Sequence, residues 1–300
     1  MEAAPAVLPM SGMDLRANRI VEANGVELCA EAFGDPGDPA ILLIMGSSAS
    51  MDWWEDAFCE RLAAGPRFVV RYDHRDTGRS VSYEPGSPPY SMNDLAADAA
   101  GVLDAFELSR AHLVGMSMGG AIAQLVALGR PERVASLTLI ATSFADRDGS
   151  GLPSMEAEAA ARFDVPAPDW SDRNAVIDYL THLARASASR SRAFEEAAFR
   201  ELAGRVFDRS SNIEAAMTNH GLIRGHVEAP RPLESLTTPT LVLHGTDDPV
   251  LPFAHGLALV EAIPGARLIA LGGTGHELPR RVWNLVVPAI VDHTRAAEGR

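Results

Sequence analysis

Continuous apolar runs alternate with segments of helical periodicity through the first half of the chain. Between two of these runs, Ser91 and Asp94 form a capping-box pattern, and apolar residues then recur at helical spacing. Strands that are apolar throughout are typical of a parallel sheet covered on both faces, so the pattern predicts an α/β fold. The runs cover residues 40–45, 68–72, 111–114 and 137–141.

The pattern changes after residue 142, where strand signals disappear and helical periodicity continues to about residue 236. Further apolar runs predict four more strands, and Asn24-Gly25 predicts a hairpin turn between two of them. A last helix is predicted at the end of the chain. The predicted helices cover residues 155–163, 173–186, 192–206 and 279–294, and the further strands cover 20–23, 26–30, 240–244 and 267–271.

We therefore predict a mostly parallel sheet flanked by helices, with a helical cap inserted after the sixth strand. The core would comprise residues 18–142 and 237–296, and the cap residues 143–236.

A serine between two glycines lies where one predicted strand passes into a helix. The segment Gly115-Met116-Ser117-Met118-Gly119 follows the run at 111–114 and precedes a helix-like stretch at 120–128. This is the nucleophile-elbow pattern, in which a strained turn lifts the serine Oγ above the sheet edge. The residues two before and two after must be small, and here both are glycine. The pattern predicts Ser117 as a nucleophile.

A serine nucleophile needs a base and an acid that orients the base. In the elbow architecture the acid comes next in the chain and the histidine last. Asp247 and Asp248 both follow the strand at 240–244, and we favour Asp248 because Pro249 fixes its turn. His276 lies in the glycine-rich loop after the last strand and is the candidate base.

Two other histidines lie near predicted strands. His244 ends a buried strand and His74 lies in a separate loop, so we expect structural roles for both.

Hydrolysis of an acyl group also needs donors for the oxyanion. The N–H of Met118 is one candidate, because it follows the nucleophile. The loop after strand 40–45 supplies Gly46, which permits a sharp turn, and Ser47, our choice for the second donor. Trp53 and Trp54 follow this loop, and with Gly46 they are our candidates for contact with substrate, although tryptophans beside a catalytic loop are more often packing residues.

Composition removes several classes of function. Among the 300 residues the net charge is −14, and all 26 basic residues are arginine. The lack of lysine excludes Schiff-base chemistry and a P-loop, and the acidic balance argues against nucleic acid. Two cysteines outside any C-x-x-C pair indicate neither a disulfide framework nor structural zinc. With no apparent signal peptide or membrane span, we expect a cytoplasmic enzyme.

These motifs, with the run Arg71-Tyr72-Asp73-His74-Arg75-Asp76-Thr77-Gly78-Arg79-Ser80, resemble the α/β-hydrolase family. The resemblance is to its esterases of the aclacinomycin-methylesterase type. It implies a Ser117–His276–Asp248 triad, an oxyanion hole at Ser47 and Met118, and no cofactor. The 71–80 run usually shapes the loop beside the site, so Asp73, Arg75 and Asp76 are expected to be structural. One departure is Met45 where such enzymes commonly have histidine before the glycine.

The expected reaction is hydrolysis of a small to medium, largely apolar carboxylic ester through an acyl-enzyme. The same triad also serves perhydrolysis of the non-haem haloperoxidase type, lactone hydrolysis and carbon–carbon bond hydrolysis. A ligand-binding receptor that keeps the fold is a further alternative. The expected partner is a small-molecule ester, with no nucleic acid, membrane or metal, while the oligomeric state stays open.

Overall fold

An eight-stranded sheet runs through the computed structural model, which describes residues 18–145, 151–155, 157–223, 227 and 229–299. The strands are β1 (Arg19–Ala23), β2 (Val26–Phe33), β3 (Ala40–Ile44), β4 (Phe68–Tyr72), β5 (Ala111–Met116), β6 (Val134–Ile140), β7 (Thr240–Gly245) and β8 (Arg267–Leu271).

The strand order across the sheet is β1-β2-β4-β3-β5-β6-β7-β8. β1 pairs antiparallel with β2, β2 pairs antiparallel with β4, and every later pair is parallel. Asn24 and Gly25 have φ values of 51° and 74°, the left-handed conformations that a tight hairpin turn needs between β1 and β2. The predicted mostly parallel α/β sheet is confirmed.

Helices join the strands and cover the sheet. They are α1 (Asp56–Ala63), α2 (Met92–Ala105), α3 (Met118–Gly129), α4 (Ala157–Phe163), α5 (Arg173–Ser187), α6 (Glu196–Arg209), α7 (Ile213–Asn219), α8 (Ala254–Ala262) and α9 (Trp283–Glu298). Ser91 and Asp94 make the predicted capping box at the start of α2. None of the described helices is long and apolar enough to cross a bilayer.

Three helices, α1, α7 and α8, were not predicted, and two predicted helices have shifted ends. α1 and α7 are only eight and seven residues long, and α8 is apolar on most sides, so none shows a sustained apolar stripe. The helix predicted at 192–206 begins at residue 196, and the last helix begins at residue 283 after a 3₁₀ turn. The N-terminal residues that showed no signal peptide lie outside the described residues.

Alternate residues of β3 point to opposite faces of the sheet, and both faces are covered. Leu42 and Ile44 pack in one apolar cluster with residues of α2, α3 and α8. Ile41 and Leu43 pack in a second cluster with residues of α1 and α9. All four side chains are completely buried, which explains why this strand is apolar throughout.

The helices α4–α7, with the described segments joining them, lie between β6 and β7, and we call this part of the chain the cap. It has its own apolar cluster, formed by α5, α6 and α7. The buried members are Val176, Ile177, Leu180, Leu202, Ala203, Val206, Ile213 and Ala216. The boundaries 143 and 236 stay predictions, and residues 146–150, 156, 224–226 and 228 within them lie outside the described residues.

Candidate active site

Ser117 occupies a strained turn between β5 and α3. Its φ of 52° and ψ of −120° lie outside the regions that non-glycine residues prefer. A Cβ on Gly115 would overlap the carbonyl oxygen of Gly119, and one on Gly119 would overlap that of Ile44. Both positions therefore require glycine, as the elbow pattern predicts.

Backbone contacts hold this turn in place. The Ser117 N–H donates to the carbonyl of Ile140 at 2.9 Å, and the Thr142 hydroxyl donates to the Ser117 carbonyl at 2.7 Å. These bonds tie the elbow to the carboxyl end of the neighbouring strand β6. The serine is therefore fixed at the sheet edge where sites of open α/β sheets form.

The structure brings together Ser117, His276 and Asp248, which are far apart in the sequence. His276 Nε2 lies 2.9 Å from Ser117 Oγ, and His276 Nδ1 lies 2.8 Å from Asp248 Oδ2. A carboxylate only accepts hydrogen bonds, so the imidazole proton lies on Nδ1. Nε2 is then the acceptor for the serine hydroxyl, the arrangement that removes a proton from a nucleophile.

Asp248 is fixed independently of the histidine. Its other oxygen accepts the N–H groups of Val250 and Leu251 at 2.9 and 2.8 Å, and its side chain is fully buried. Nearby, His244 donates from Nε2 to the Leu251 carbonyl at 2.8 Å, and burial lowers its pKa. His244 thus has a structural contact, as expected, and stays neutral beside the carboxylate.

Asp247, the alternative acid, makes different contacts. Its carboxylate accepts from the hydroxyls of Ser189, at 2.7 Å, and Ser191, both in the cap. Hydrogen bonds from these serines lower its pKa, so it remains ionised. In the structure, therefore, Asp248 contacts the histidine and Asp247 contacts the cap.

The cap also contacts the His276 loop directly. The His276 N–H donates to the carbonyl of Ser187 at 2.8 Å, and a Cβ on Gly275 would come within 2.5 Å of that same oxygen. The Ser189 N–H donates to Glu277 at 3.3 Å. The segment after α5 thus sets the position of the loop that carries the imidazole.

Gly46 lies against the nucleophile, and Ser47 follows it in an exposed turn after β3. A Cβ on Gly46 would stand 3.2 Å from Ser117 Cβ and 3.8 Å from Ser117 Oγ. Met118 is the first residue of α3, so its N–H has no acceptor within the helix. The assignment of the Ser47 and Met118 N–H groups to an oxyanion hole stays a prediction.

Residues of the 71–80 run, His74 among them, make buried structural contacts near the site. His74 Nε2 donates to the carbonyl of Met45 at 2.8 Å, so this histidine is structural, as expected. Arg75 makes two hydrogen bonds of 2.7 Å to Asp98 of α2. Asp73 and Asp76 bind residues of the cap, and all of these side chains are buried.

The residues that dock the cap on this run were missed by sequence reasoning. Arg209 at the end of α6 makes hydrogen bonds of 2.7 and 2.6 Å to Asp73, and Asn219 at the end of α7 donates to Asp76 at 3.0 Å. Their only signal in the sequence is a polar residue at the end of an amphipathic helix, which is far too common to be diagnostic.

The prediction that Trp54 contacts substrate is wrong. Its side chain is 0% exposed and stacks on Phe58 inside the core, so solvent-borne substrate has no access to it. Trp53 is half-buried and packs edge-on against Phe199 of α6, with ring centroids 5.3 Å apart. Trp53 therefore lies where the cap meets the core, and its contact with substrate stays a prediction.

The two cysteines contribute no nucleophile. Both thiols are free and buried, and burial raises the pKa of Cys29 and of Cys59 to about 12. Within the described ranges, no group of three or more His, Cys, Asp or Glu side chains could hold a metal ion.

Comparison with known proteins places this site in a family context. The chain is 35% identical over 293 residues to rhodomycin D methylesterase of Streptomyces peucetius, and 34% identical over 293 residues to that of Streptomyces sp. strain C5. Each alignment covers 93% of this chain and 98% of the relative. It is also 34% identical over 248 residues to 2-hydroxymuconate semialdehyde hydrolase of Pseudomonas sp. strain CF600, covering 79% of this chain and 80% of that protein.

Solved structures agree on the fold. An esterase from Exiguobacterium antarcticum superposes with a TM-score of 0.74 at 20% identity, covering 93% of this chain and all of that one. The family model described as alpha/beta hydrolase fold matches residues 39–279, which include every residue of the site described above. The chain belongs to the α/β-hydrolase family, and its methylesterase relatives identify it as a hydrolase of the esterase kind.

Proposed function

We propose that the protein is a serine carboxylesterase in which Ser117 is the nucleophile, His276 the general base and Asp248 the orienting acid. One observation carries the proposal: a single imidazole is hydrogen-bonded through one nitrogen to the serine hydroxyl and through the other to a buried carboxylate. No cofactor enters this scheme, because the attacking and leaving groups are served by the same histidine.

Acylation begins with attack of Ser117 Oγ on the ester carbonyl carbon, while the hydroxyl proton passes to His276 Nε2. The negative charge that develops on the carbonyl oxygen is stabilised by the N–H groups of Met118 and Ser47. As the tetrahedral intermediate collapses, the carbon–oxygen bond to the alcohol breaks, and His276 returns its proton to the departing alcohol oxygen.

Deacylation repeats the sequence with water. His276 Nε2 takes a proton from the water whose oxygen attacks the acyl carbon, and the same two N–H groups stabilise the oxyanion. Collapse breaks the bond to Ser117 Oγ, which recovers its proton from His276. The carboxylic acid leaves and the enzyme returns to its starting state.

We propose methyl esters of bulky, largely apolar carboxylic acids as the substrate class. The methylesterase relatives align over 93% of this chain, so the alignment includes residues of the cap as well as the core. The carbon–carbon bond hydrolase relative covers 79% of the chain, and for this reason we rank that reaction second.

The proposal is tested with rhodomycin D, simple methyl esters, aryl esters and a 2-hydroxymuconate semialdehyde, each incubated with the protein in ¹⁸O-labelled water. We expect methanol and singly labelled acid from the methyl esters, detected by mass spectrometry. Turnover of the semialdehyde alone would move the assignment to carbon–carbon cleavage.

Two serine variants provide the matched control. Ser117→Ala should lose at least roughly 10⁴-fold in kcat, because the nucleophile is gone while binding and the oxyanion donors remain. Ser235→Ala changes an exposed hydroxyl that donates to the Pro232 carbonyl in its own turn, and it should retain full activity. Ester turnover that survives Ser117→Ala contradicts the proposed role.

A further inference from the structure

The loop that follows β3, residues 45–48, is held by two buried histidines. His74 from the core donates to the Met45 carbonyl at 2.8 Å, at the start of the loop. His220, just after α7 in the cap, accepts the Ser48 N–H on Nδ1 at 2.8 Å, at the end of the loop. Ser47, the proposed oxyanion donor, lies between these two contacts.

The tautomer of His220 is fixed by its second contact. Its Nε2 lies 2.9 Å from the carbonyl of Arg75, and a carbonyl only accepts, so Nε2 carries the proton. Nδ1 is then unprotonated and can accept the Ser48 N–H. The ring thus connects the cap to two separate core loops with one donor and one acceptor, and neither nitrogen is free for another role.

The environment keeps both rings neutral. His220 is 5% exposed, and burial lowers its pKa, while burial and the neighbouring His220 lower the pKa of His74 to about 3. A protonated His220 would have no acceptor for Ser48. Ser48 itself has a φ of 62°, a conformation uncommon for a residue with a side chain, and the hydrogen bond to His220 fixes it.

We propose that His220 is a positioning residue that orients the Ser47 N–H toward the reacting carbonyl by holding the adjacent Ser48 amide. This inference rests on the proposed esterase function. The peptide that carries the Ser47 N–H lies between the Met45 carbonyl, which His74 holds, and the Ser48 amide, which His220 holds, so the peptides on both sides of it are fixed. In this arrangement a residue of the cap holds the loop that carries the proposed oxyanion donor.

Two substitutions separate the two hydrogen bonds of the ring. In His220→Asn the side-chain oxygen reaches about as far as Nδ1 and can accept from Ser48, but the bond to Arg75 is lost. In His220→Gln the side-chain NH₂ reaches about as far as Nε2 and can donate to Arg75, but the acceptor for Ser48 is lost. Each variant thus removes one buried hydrogen bond and leaves the other.

We expect H220Q to lower kcat by about 10- to 100-fold with little change in KM, since outright loss of an oxyanion donor costs about 10²- to 10³-fold. H220N should stay within about threefold of the wild type in kcat. A purely structural histidine would give similar kcat values for the two variants, and that result overturns the proposal. The midpoints of thermal unfolding of both variants are measured first, and all assays are run below the lower one.

A second measurement is independent of ester turnover. Hydrogen exchange at the Ser48 amide, followed by NMR, should be slow in wild type and H220N and fast in H220Q. Equal exchange in all three proteins contradicts the contact on which the proposal depends. If the wild type hydrolyses no ester but the exchange pattern holds, the proposed function fails while the loop contact stands, so the two failures are distinguishable.

Discussion

The core and the cap are each held together by apolar packing, but they are joined to each other mainly by polar contacts, with Trp53 on Phe199 as an apolar contact between them. The core surrounds a sheet whose strands are buried on both faces, and the cap has a smaller apolar cluster of its own. The polar contacts between them use residues at helix ends and in loops of the cap. Arg209, Asn219 and His220 contact the core on one side, and Ser187, Ser189 and Ser191 do so on the other.

The difference shows where the site can be altered without unfolding the protein. Apolar packing spreads stabilisation over many residues, so the sheet edge that carries Ser117 is rigid. The cap is positioned by a few directional bonds, and several of them reach the loops of His276 and Ser47. Substitution of a neutral polar residue at this junction should therefore change catalysis more than stability, whereas removal of a buried ion pair there should also destabilise the fold.

Adjacent aspartates at the end of β7 give the largest contrast. Asp248→Asn should lower kcat by about 10⁴-fold, because an amide that donates to His276 leaves the wrong tautomer facing Ser117. Asp247→Asn should cost far less, since that carboxylate accepts hydrogen bonds from Thr246 and the cap serines while His276 is bonded to Asp248. Steady-state kinetics on one ester compares them. Equal losses would mean that the acid has been assigned to the wrong residue or shared between the two.

The buried ion pair between Arg209 and Asp73 gives the next contrast. Arg209→Leu should lower the free energy of unfolding by about 3–5 kcal/mol, because the fully buried Asp73 carboxyl group loses its charged partner. Arg173→Leu is the matched control, since its pair with Asp208 lies on the cap surface and should contribute nothing measurable. Urea denaturation measures both. A loss for Arg173→Leu as large as for Arg209→Leu would refute the distinction.

Acid stability should depend on buried histidines. Burial lowers the pKa of His74 and of His112 to about 3, so both are neutral in the fold and take up protons only on unfolding. The free energy of unfolding should fall as the pH decreases from about 6.5 toward 3, each histidine contributing about 1.4 kcal/mol per pH unit.

The variant that checks this dependence is His112→Asn, which removes a core histidine far from the cap. Urea titrations between about pH 6 and pH 4 should show a slope shallower by about 1.4 kcal/mol per pH unit than in the wild type. An unchanged slope would show that His112 is not held neutral.

The smallest expected effect concerns the serines on Asp247. The double variant Ser189→Ala, Ser191→Ala removes two hydroxyl donors from one carboxylate and loosens the cap segment over His276. We expect kcat/KM to fall by about 3- to 10-fold with the free energy of unfolding changed by no more than about 3 kcal/mol. Ser171→Ala, whose hydroxyl bonds only to nearby Asp169, serves as the control. No change in kcat/KM would show that this contact does not position the loop.

Local chemistry explains what could be predicted from the sequence. The strands of the core are apolar runs, and the elbow is a short pattern whose glycines are required by close backbone contacts. The order of serine, acid and histidine leaves three of the nine histidines, and the position in the glycine-rich loop after the last strand then selects His276. Each of these signals lies within a few neighbouring residues, so one sequence is enough to read it.

The parts that could not be predicted depend on contacts between distant segments. No residue near Asp247 in the sequence indicates that it accepts hydrogen bonds from serines almost 60 positions earlier. Likewise, His220 lies 172 positions from Ser48, whose N–H donates to it. Trp54 shows the same limit, because an aromatic beside a catalytic loop looks alike in sequence whether it faces the pocket or the core. Tertiary packing decides such cases.

Trapping the acyl-enzyme would show whether Ser117 is the nucleophile. The protein is mixed with an excess of an activated aryl ester, quenched in acid within the first turnover and digested for peptide mass mapping. We expect the added acyl mass on the peptide that contains Ser117, and no added mass in Ser117→Ala. Turnover of the ester with the acyl group on another residue, or through no covalent intermediate in repeated rapid-quench experiments, would contradict that expectation.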